Sequence, residues 1–476
     1  MKRNGYWLYL LLFLIFSLLC ADNTVKELQK KLTSASGKEK IAILNKLAFS
    51  YLSDSPQKAI DTAERAVELS EKLNFPAGEA AALNNIVSGY IKLWKNEKAL
   101  PPARKALTIY EKIADKKGMA ASLKRIGIIY RNLNDLQKGL DYYLKLLPIE
   151  RELGNKSGEA AALGNIGIFY ANLGTSHKAL RYYREAAEKF EEIGNKRGVA
   201  ASLNNIGVIY WELGDYDRAL ESHLQSLRIE EETGNKLGMA NNRNSIGNVY
   251  SKLEKFDKAL VYYREALILF KELGNKRREA ICLSNIGTFY EDTGNNEKAL
   301  EYYRKSLEIG EEIDDKRGIS ISLNNMGVVY RNLGEYEKAL SYYIKSLKID
   351  EEGGDKHSAA LSFQNIGEIY IKLKQYAAAQ SYFEQSLKIA KELKIKDLTS
   401  DIYQNWSELF ALKKEFKKAY ECFKMYTEVN DEILNKESND RIAELQSKYE
   451  TGKKEREIIL LQKNNELLIK DNKIRG

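Results

Sequence analysis

The side chains best suited to chemistry are scarce in this sequence and poorly spaced for it. His177, His223 and His357 are the 3 histidines, and Cys20, Cys282 and Cys422 are the 3 cysteines. A structural zinc needs about four Cys or His ligands at close spacing. A nucleophilic triad needs Ser or Cys, a base and an orienting carboxylate. No histidine here has a Cys, Asp or Glu partner at such a spacing. Cys282 and Cys422 lie 140 residues apart, which argues against a disulfide between them. Gly-Asn-Lys-Arg-Gly at 194–198 lacks the Lys-Ser/Thr by which a P-loop holds phosphate. The expectation is a chain that is not an enzyme, with no metal and no cofactor.

Amides and guanidiniums are better placed to do something. Asn85, Asn165, Asn205, Asn285, Asn325, Asn365 and Asn405 recur in one register, which Arg125 and Ser245 interrupt. Asparagine is a mediocre helix former, so the recurrence needs a reason. A side-chain amide offers donors and an acceptor, which suits it to gripping the backbone of an extended peptide. It could equally bond across to the neighbouring repeat and set the stacking, and both readings stay open. Arg125, Arg131 and Arg331 would add charge, favouring an acidic peptide or a terminal carboxylate, unless they are solvated rim charges. Ile128, Ile168, Val208 and Val328 make the same lining partly apolar.

The elements that must position these residues are visible as a period. Tyr90, Tyr130, Tyr170, Tyr210, Tyr250, Tyr290, Tyr330 and Tyr370 are 40 residues apart; Tyr51 precedes them and Phe410 follows. Within a copy, Leu203, Ile206, Gly207 and Tyr210 fall on one face of a helix, and Ala219, Leu220, His223, Ser226 and Leu227 on a face of the next. Gly-Asn-Lys, as at 154–156 and 194–196, reads as the helix end, since both Gly and Asn tolerate the left-handed conformation. Glycines at 127, 167, 207, 247, 287, 327 and 367 each cost about 1 kcal/mol inside a helix. Their recurrence predicts a partner helix too close for a side chain, with Ala186, Ser226, Ala266, Ser306, Ser346 and Ser386 doing the same on the second helix. The tyrosine stripe reads as core.

This pattern resembles the tetratricopeptide repeat. One copy carries the family's signature as Leu163, Ile166-Gly167, Tyr170, Gly174, Ala179 and Tyr183. The likeness covers about residues 38 to 430, with 40 residues per copy where the family usually has 34, similar to the kinesin light chain type. It implies an all-α fold: a right-handed α-solenoid of about ten helix pairs, whose first helices line a concave groove. The family also implies that the asparagine register faces that groove and contacts bound peptide.

The composition agrees with such a chain. Of 476 residues only 5 are proline, while 30 are tyrosine, which favours long helices with short turns. The 75 basic and 67 acidic residues are interleaved, so the net +8 is not the one-sided patch of a nucleic-acid binder. Lys2, Arg3 and the apolar run Trp7–Leu19 read as a signal peptide or N-terminal anchor over 1–21, with a capping helix over 22–37. The expectation is an exported chain, periplasmic or membrane-attached; a lipid on Cys20 is disfavoured by Leu19 before it. From 431 to 476 the sequence reads as a charged helix or coiled coil, able to pair two copies. The leading function is a protein- or peptide-binding scaffold or adaptor. The alternative is the extracytoplasmic input half of a bacterial signalling receptor, which the layout resembles.

Overall fold

The computed structural model describes residues 25–434. The expected signal peptide, Cys20, and all but the first residues of the expected C-terminal coil lie outside them. The described residues are helical apart from short turns. Two compact units divide at Ser202 and Leu203.

In the first unit, residues 25–34 are helical and set Val25, Leu28 and Leu32 against Leu47, Tyr51 and Ala59. Four helix pairs follow: α1 (Gly37–Tyr51) and α2 (Pro56–Lys72), α3 (Pro76–Lys92) and α4 (Asn96–Lys112), α5 (Lys116–Asn132) and α6 (Leu136–Glu152), α7 (Lys156–Asn172) and α8 (Ser176–Glu192). The chain passes through α9 (Lys196–Glu212) into the second unit. That unit holds α10 (Tyr216–Thr233), α11 (Lys236–Lys252), α12 (Phe256–Glu272), α13 (Lys276–Asp292), α14 (Asn296–Glu312) and α15 (Lys316–Asn332). It continues with α16 (Tyr336–Gly353), α17 (Lys356–Lys372), α18 (Tyr376–Leu393), α19 (Lys396–Leu412) and a final helix over 416–434. Odd-numbered helices are the first of each pair. First helices of successive repeats also touch each other, α1 with α3 and α3 with α5 in one unit, α13 with α15 and α17 with α19 in the other. The chain is an all-α solenoid.

Each turn divides its work between two residues. Gly154, Gly194, Gly234 and Gly274 take positive φ and end the second helix. The asparagine after them does not end that helix, contrary to the sequence expectation; it starts the next one. Asn155 Oδ1 accepts from Gly158 N at 3.1 Å and Asn195 Oδ1 from Gly198 N at 3.0 Å, satisfying a donor that a helix start leaves free.

The mid-helix glycines answer to a ring and not to a neighbouring backbone. A Cβ on Gly327 would come within 2.5 Å of the Tyr343 ring, and one on Gly287 within 2.6 Å of Tyr303. Those rings, with Tyr143, Tyr183, Tyr263 and Phe383, form a buried column on the second helices. The expected tyrosine stripe is core as well, but shallower: Tyr130 and Tyr290 are buried, Tyr170 and Tyr330 half-buried. Each stacks on a second-helix tyrosine, Tyr330 on Tyr342 at 5.2 Å and Tyr170 on Tyr182 at 5.4 Å. Ser306, Ser346 and Ser386 turn their hydroxyls onto the carbonyls of Ala280, Ser320 and Ala360 at 2.7–3.0 Å, so these small residues bond the first helix they pack on.

Candidate functional site

The asparagine register lies along the first helices and is used between repeats. In the second unit Asn285 Nδ2 donates to Asn244 Oδ1 at 3.1 Å, Asn325 to Ser284 Oγ at 3.3 Å, and Asn365 to Asn324 Oδ1 at 2.9 Å. These are three consecutive rungs, each reaching one repeat back. In the first unit Asn85 Nδ2 reaches both the carbonyl and the side-chain oxygen of Asn45, at 3.0 and 3.2 Å. Asn165 instead bonds the carbonyl of Ala161 on its own helix, at 2.8 Å. Asn205 is half-buried. A rung spends one of the two amide N–H donors, which leaves the other available to a ligand.

The three arginines differ in what neutralises them. Arg331 Nη1 meets Glu368 Oε2 at 2.7 Å. Arg125 has no carboxylate partner: its Nε donates to Ser88 Oγ at 3.0 Å and its Nη1 to the Ala121 carbonyl at 2.9 Å. Burial pushes its guanidinium below the usual arginine range, the neighbouring Tyr110 opposing only in part. Arg131 likewise contacts a neutral oxygen, Asn165 Oδ1 at 3.4 Å.

Residues from different repeats converge in the second unit. Glu368 accepts from Arg331, from Asn405 Nδ2 at 3.0 Å and from Gln364 Nε2 at 3.3 Å. Glu368, Arg331 and Asn405 surround a cavity of ≈ 380 Å³ that Asn332, Tyr336, Ile371 and Lys372 also line. Sequence reasoning missed Glu368. Its register holds Ile128, Ile168, Val208 and Val328 but also Ser88, Asn248, Thr288 and Glu408, so no break in the sequence pattern singles Glu368 out.

His223 and Cys282 are both buried. His223 takes a place in the buried ring column, its Nδ1 3.1 Å from Asn204 Oδ1, and burial pushes it down to about 4. Burial raises the Cys282 thiol to about 12, far from a reactive thiolate. Cys282 and Cys422 are both free thiols. Among the described residues no three His, Cys, Asp or Glu side chains are grouped to hold a metal, and no helix is long and apolar enough to cross a membrane.

Stacked helix pairs at a fixed period, with an inter-repeat ladder on the first helices, define a repeat α-solenoid. The family model for the tetratricopeptide repeat matches residues 158–232, 237–312 and 318–392. Over these residues the chain consists of tetratricopeptide repeats. Solved structures share the fold. The apo quorum sensor NprR from B. thuringiensis is 18% identical, with 82% of this chain and 99% of that one covered and a TM-score of 0.51. A Rap protein complexed with Competence and Sporulation Factor is 16% identical over 76% of this chain and 100% of that one, TM-score 0.50. The signal-transduction ATPase PH0952 from Pyrococcus horikoshii, which has a tetratricopeptide-repeat sensor, is 17% identical over 76% of this chain, TM-score 0.50. The match spans about half of its length, 55%. No curated protein sequence matches the chain.

Proposed function

We propose that the chain is a non-enzymatic scaffold that captures an acidic segment or carboxylate terminus of a protein or peptide on its first-helix face. Arg125 carries this reading: a half-buried guanidinium whose hydrogen bonds go to neutral oxygens. A partly desolvated charge without its counter-charge is costly, and a ligand carboxylate supplies the missing partner through paired N–H···O bonds. The asparagines keep an N–H beside each rung for the ligand backbone. The Rap protein complexed with Competence and Sporulation Factor, of the same fold, supports capture of a partner by such a solenoid. The test is selection of random peptides on the full chain, followed by calorimetry of the selected peptides against wild type and Arg125→Gln. Acidic peptides that bind at least about tenfold more weakly to the variant support the reading. Selected peptides without carboxylates, bound equally by both, refute it.

A second reading, the input half of a signalling receptor, has one observation in its favour. Position 434 stays helical, where Gly154, Gly194, Gly234, Gly354 and Lys394 turn left-handed and end the second helix. The charged sequence from 431 on, read as a coil, suits pairing of two copies and relay of ligand binding. Sedimentation of the full chain and of a 1–434 truncation tests it: a dimer lost on truncation supports the relay, and two monomers refute it. Under either reading the basic and apolar N-terminal segment supports export, which fractionation and the mature N-terminal mass would check.

A further inference from the structure

One column of the repeat fills a slot between a second helix and the start of the next first helix. Its members are Tyr110, Glu150, Phe190, Glu230, Phe270, Gly310, Asp350 and Ala390, forty residues apart. After Tyr110, Glu150, Phe190 and Glu230 the residue eight positions on is a glycine that leaves the room; after Phe270 that position is Arg278 and after Asp350 it is Ser358. A Cβ on Gly118 would run into the Tyr110 ring, one on Gly198 into Phe190, one on Gly158 into Glu150 and one on Gly238 into Glu230. Opposite Ala390 the roles reverse, and Leu398, buried, supplies the bulk. Only between Gly310 and Gly318 are both sides glycine. A Cβ on Gly318 would approach only Asp315, in its own turn, at 3.0 Å, and one on Gly310 would approach Ile319 at 3.1 Å.

The result is a cavity of ≈ 340 Å³ lined by Gly310, Gly318, Ala280, Ile281, Ile321 and Asn285, with Arg277, Asp315 and Arg317 as its charged residues. Its hydroxyls are already bonded: Ser306 Oγ donates to the Ala280 carbonyl at 2.9 Å and Ser322 Oγ to Ser306 Oγ at 3.1 Å. A ring entering here displaces no needed hydrogen bond and covers Ile281 and Ile321, which are otherwise 43% and 42% exposed. We propose that this slot binds an aromatic side chain of a polypeptide partner, in the place that Tyr110, Phe190 and Phe270 fill from within. Rings fill three of the sister slots and carboxylates three others; here Ile281 and Ile321 line the cavity and its Arg277 is already paired with Asp315 at 3.1 Å, so the occupant is a ring and not an acid. It is carried on a polypeptide because Asn285, with an N–H beyond its rung to Asn244, lines the same cavity and can meet the backbone next to the ring.

The test uses the full chain with ¹³C-labelled isoleucine methyls, titrated with N-acetyl-phenylalanine methylamide and with its alanine counterpart. The proposal expects saturable ring-current shifts at Ile281 and Ile321 with the phenylalanine probe and none with alanine. Gly310→Phe, which restores the sister packing, weakens binding at least tenfold without lowering Tm. Gly318→Leu, which fills the slot as Leu398 does, has the same effect on binding. No saturable shift in wild type, or undiminished affinity in a folded slot-filled variant, overturns the proposal. The slot and Arg125 belong to different units, so either can fail while the other stands.

Discussion

Asn365 Nδ2 donates to Asn324 Oδ1 at 2.9 Å, from one repeat to the repeat before it. With the rungs at Asn285 and Asn325, it makes the amide register part of what holds neighbouring first helices together. Replacing Asn365 by Ala therefore lowers stability by about 1 kcal/mol, the usual net value of one hydrogen bond. A fall in the urea midpoint at unchanged m checks it. A triple replacement of Asn285, Asn325 and Asn365 that left the midpoint in place would show that the ladder contributes nothing to stacking.

Gly327 faces the Tyr343 ring at a separation that admits no methyl group. Helix propensity alone would make Gly327→Ala stabilising by about 1 kcal/mol. Overpacking costs about 1–3 kcal/mol and decides the sign, so the variant is less stable than wild type. Gly327→Ala with Tyr343→Leu recovers part of the loss, and a double-mutant cycle measures the coupling. A Gly327→Ala variant more stable than wild type would mean the ring yields freely.

His223 makes stability depend on pH. Unfolded, it titrates near 6.5; folded, burial holds it down to about 4. Above pH 6.5 both states are neutral and the group contributes nothing. As pH falls from 6.5 to 4 the unfolded chain binds the proton first, so the folded state loses stability, by about 3 kcal/mol in all. Below 4 the loss levels off. His223→Phe removes this dependence, Phe383 being the precedent for a bare ring in that column. Urea curves for both proteins at pH 7 and pH 4.5 check it, and a constant difference between them would contradict it.

Glu368 silences Arg331. Glu368→Gln removes that counter-charge; because both side chains are partly exposed, the stability change stays within about 1 kcal/mol. The affinity for acidic peptides rises several-fold at low salt, and the gain shrinks as added salt screens it. Titrations at low and at high NaCl would show whether it does.

The period, the helix pairs and the asparagine register are legible in the sequence because each is repeated, and repetition exposes constraint. What the register does is not legible there. A side chain on a helix surface can serve a ligand or the next repeat, and spacing along one helix does not say where the neighbouring helix lies. The structure gives most of these amides an inter-repeat bond and leaves spare donors. The buried ring column from Tyr143 to Phe383 follows the same period, but His223 breaks it, and the shallower Tyr90–Tyr370 stripe is more conspicuous because it is unbroken. The mid-helix glycines point to a close approach, but not to a ring as what approaches. The paired glycines at 310 and 318 lie on two helices, and only packing shows that they face one empty slot.

Arg125 is the residue on which the binding reading turns, because its guanidinium is half-buried and its hydrogen-bond partners, Ser88 and Ala121, are neutral. The decisive measurement is the calorimetric Kd of a selected acidic peptide for wild type and for Arg125→Gln, with the urea midpoints of both recorded alongside. Capture of an acidic ligand predicts an affinity loss of at least about tenfold with little change in midpoint. Equal affinities, with the whole effect falling on stability, would make Arg125 a structural residue and contradict the account.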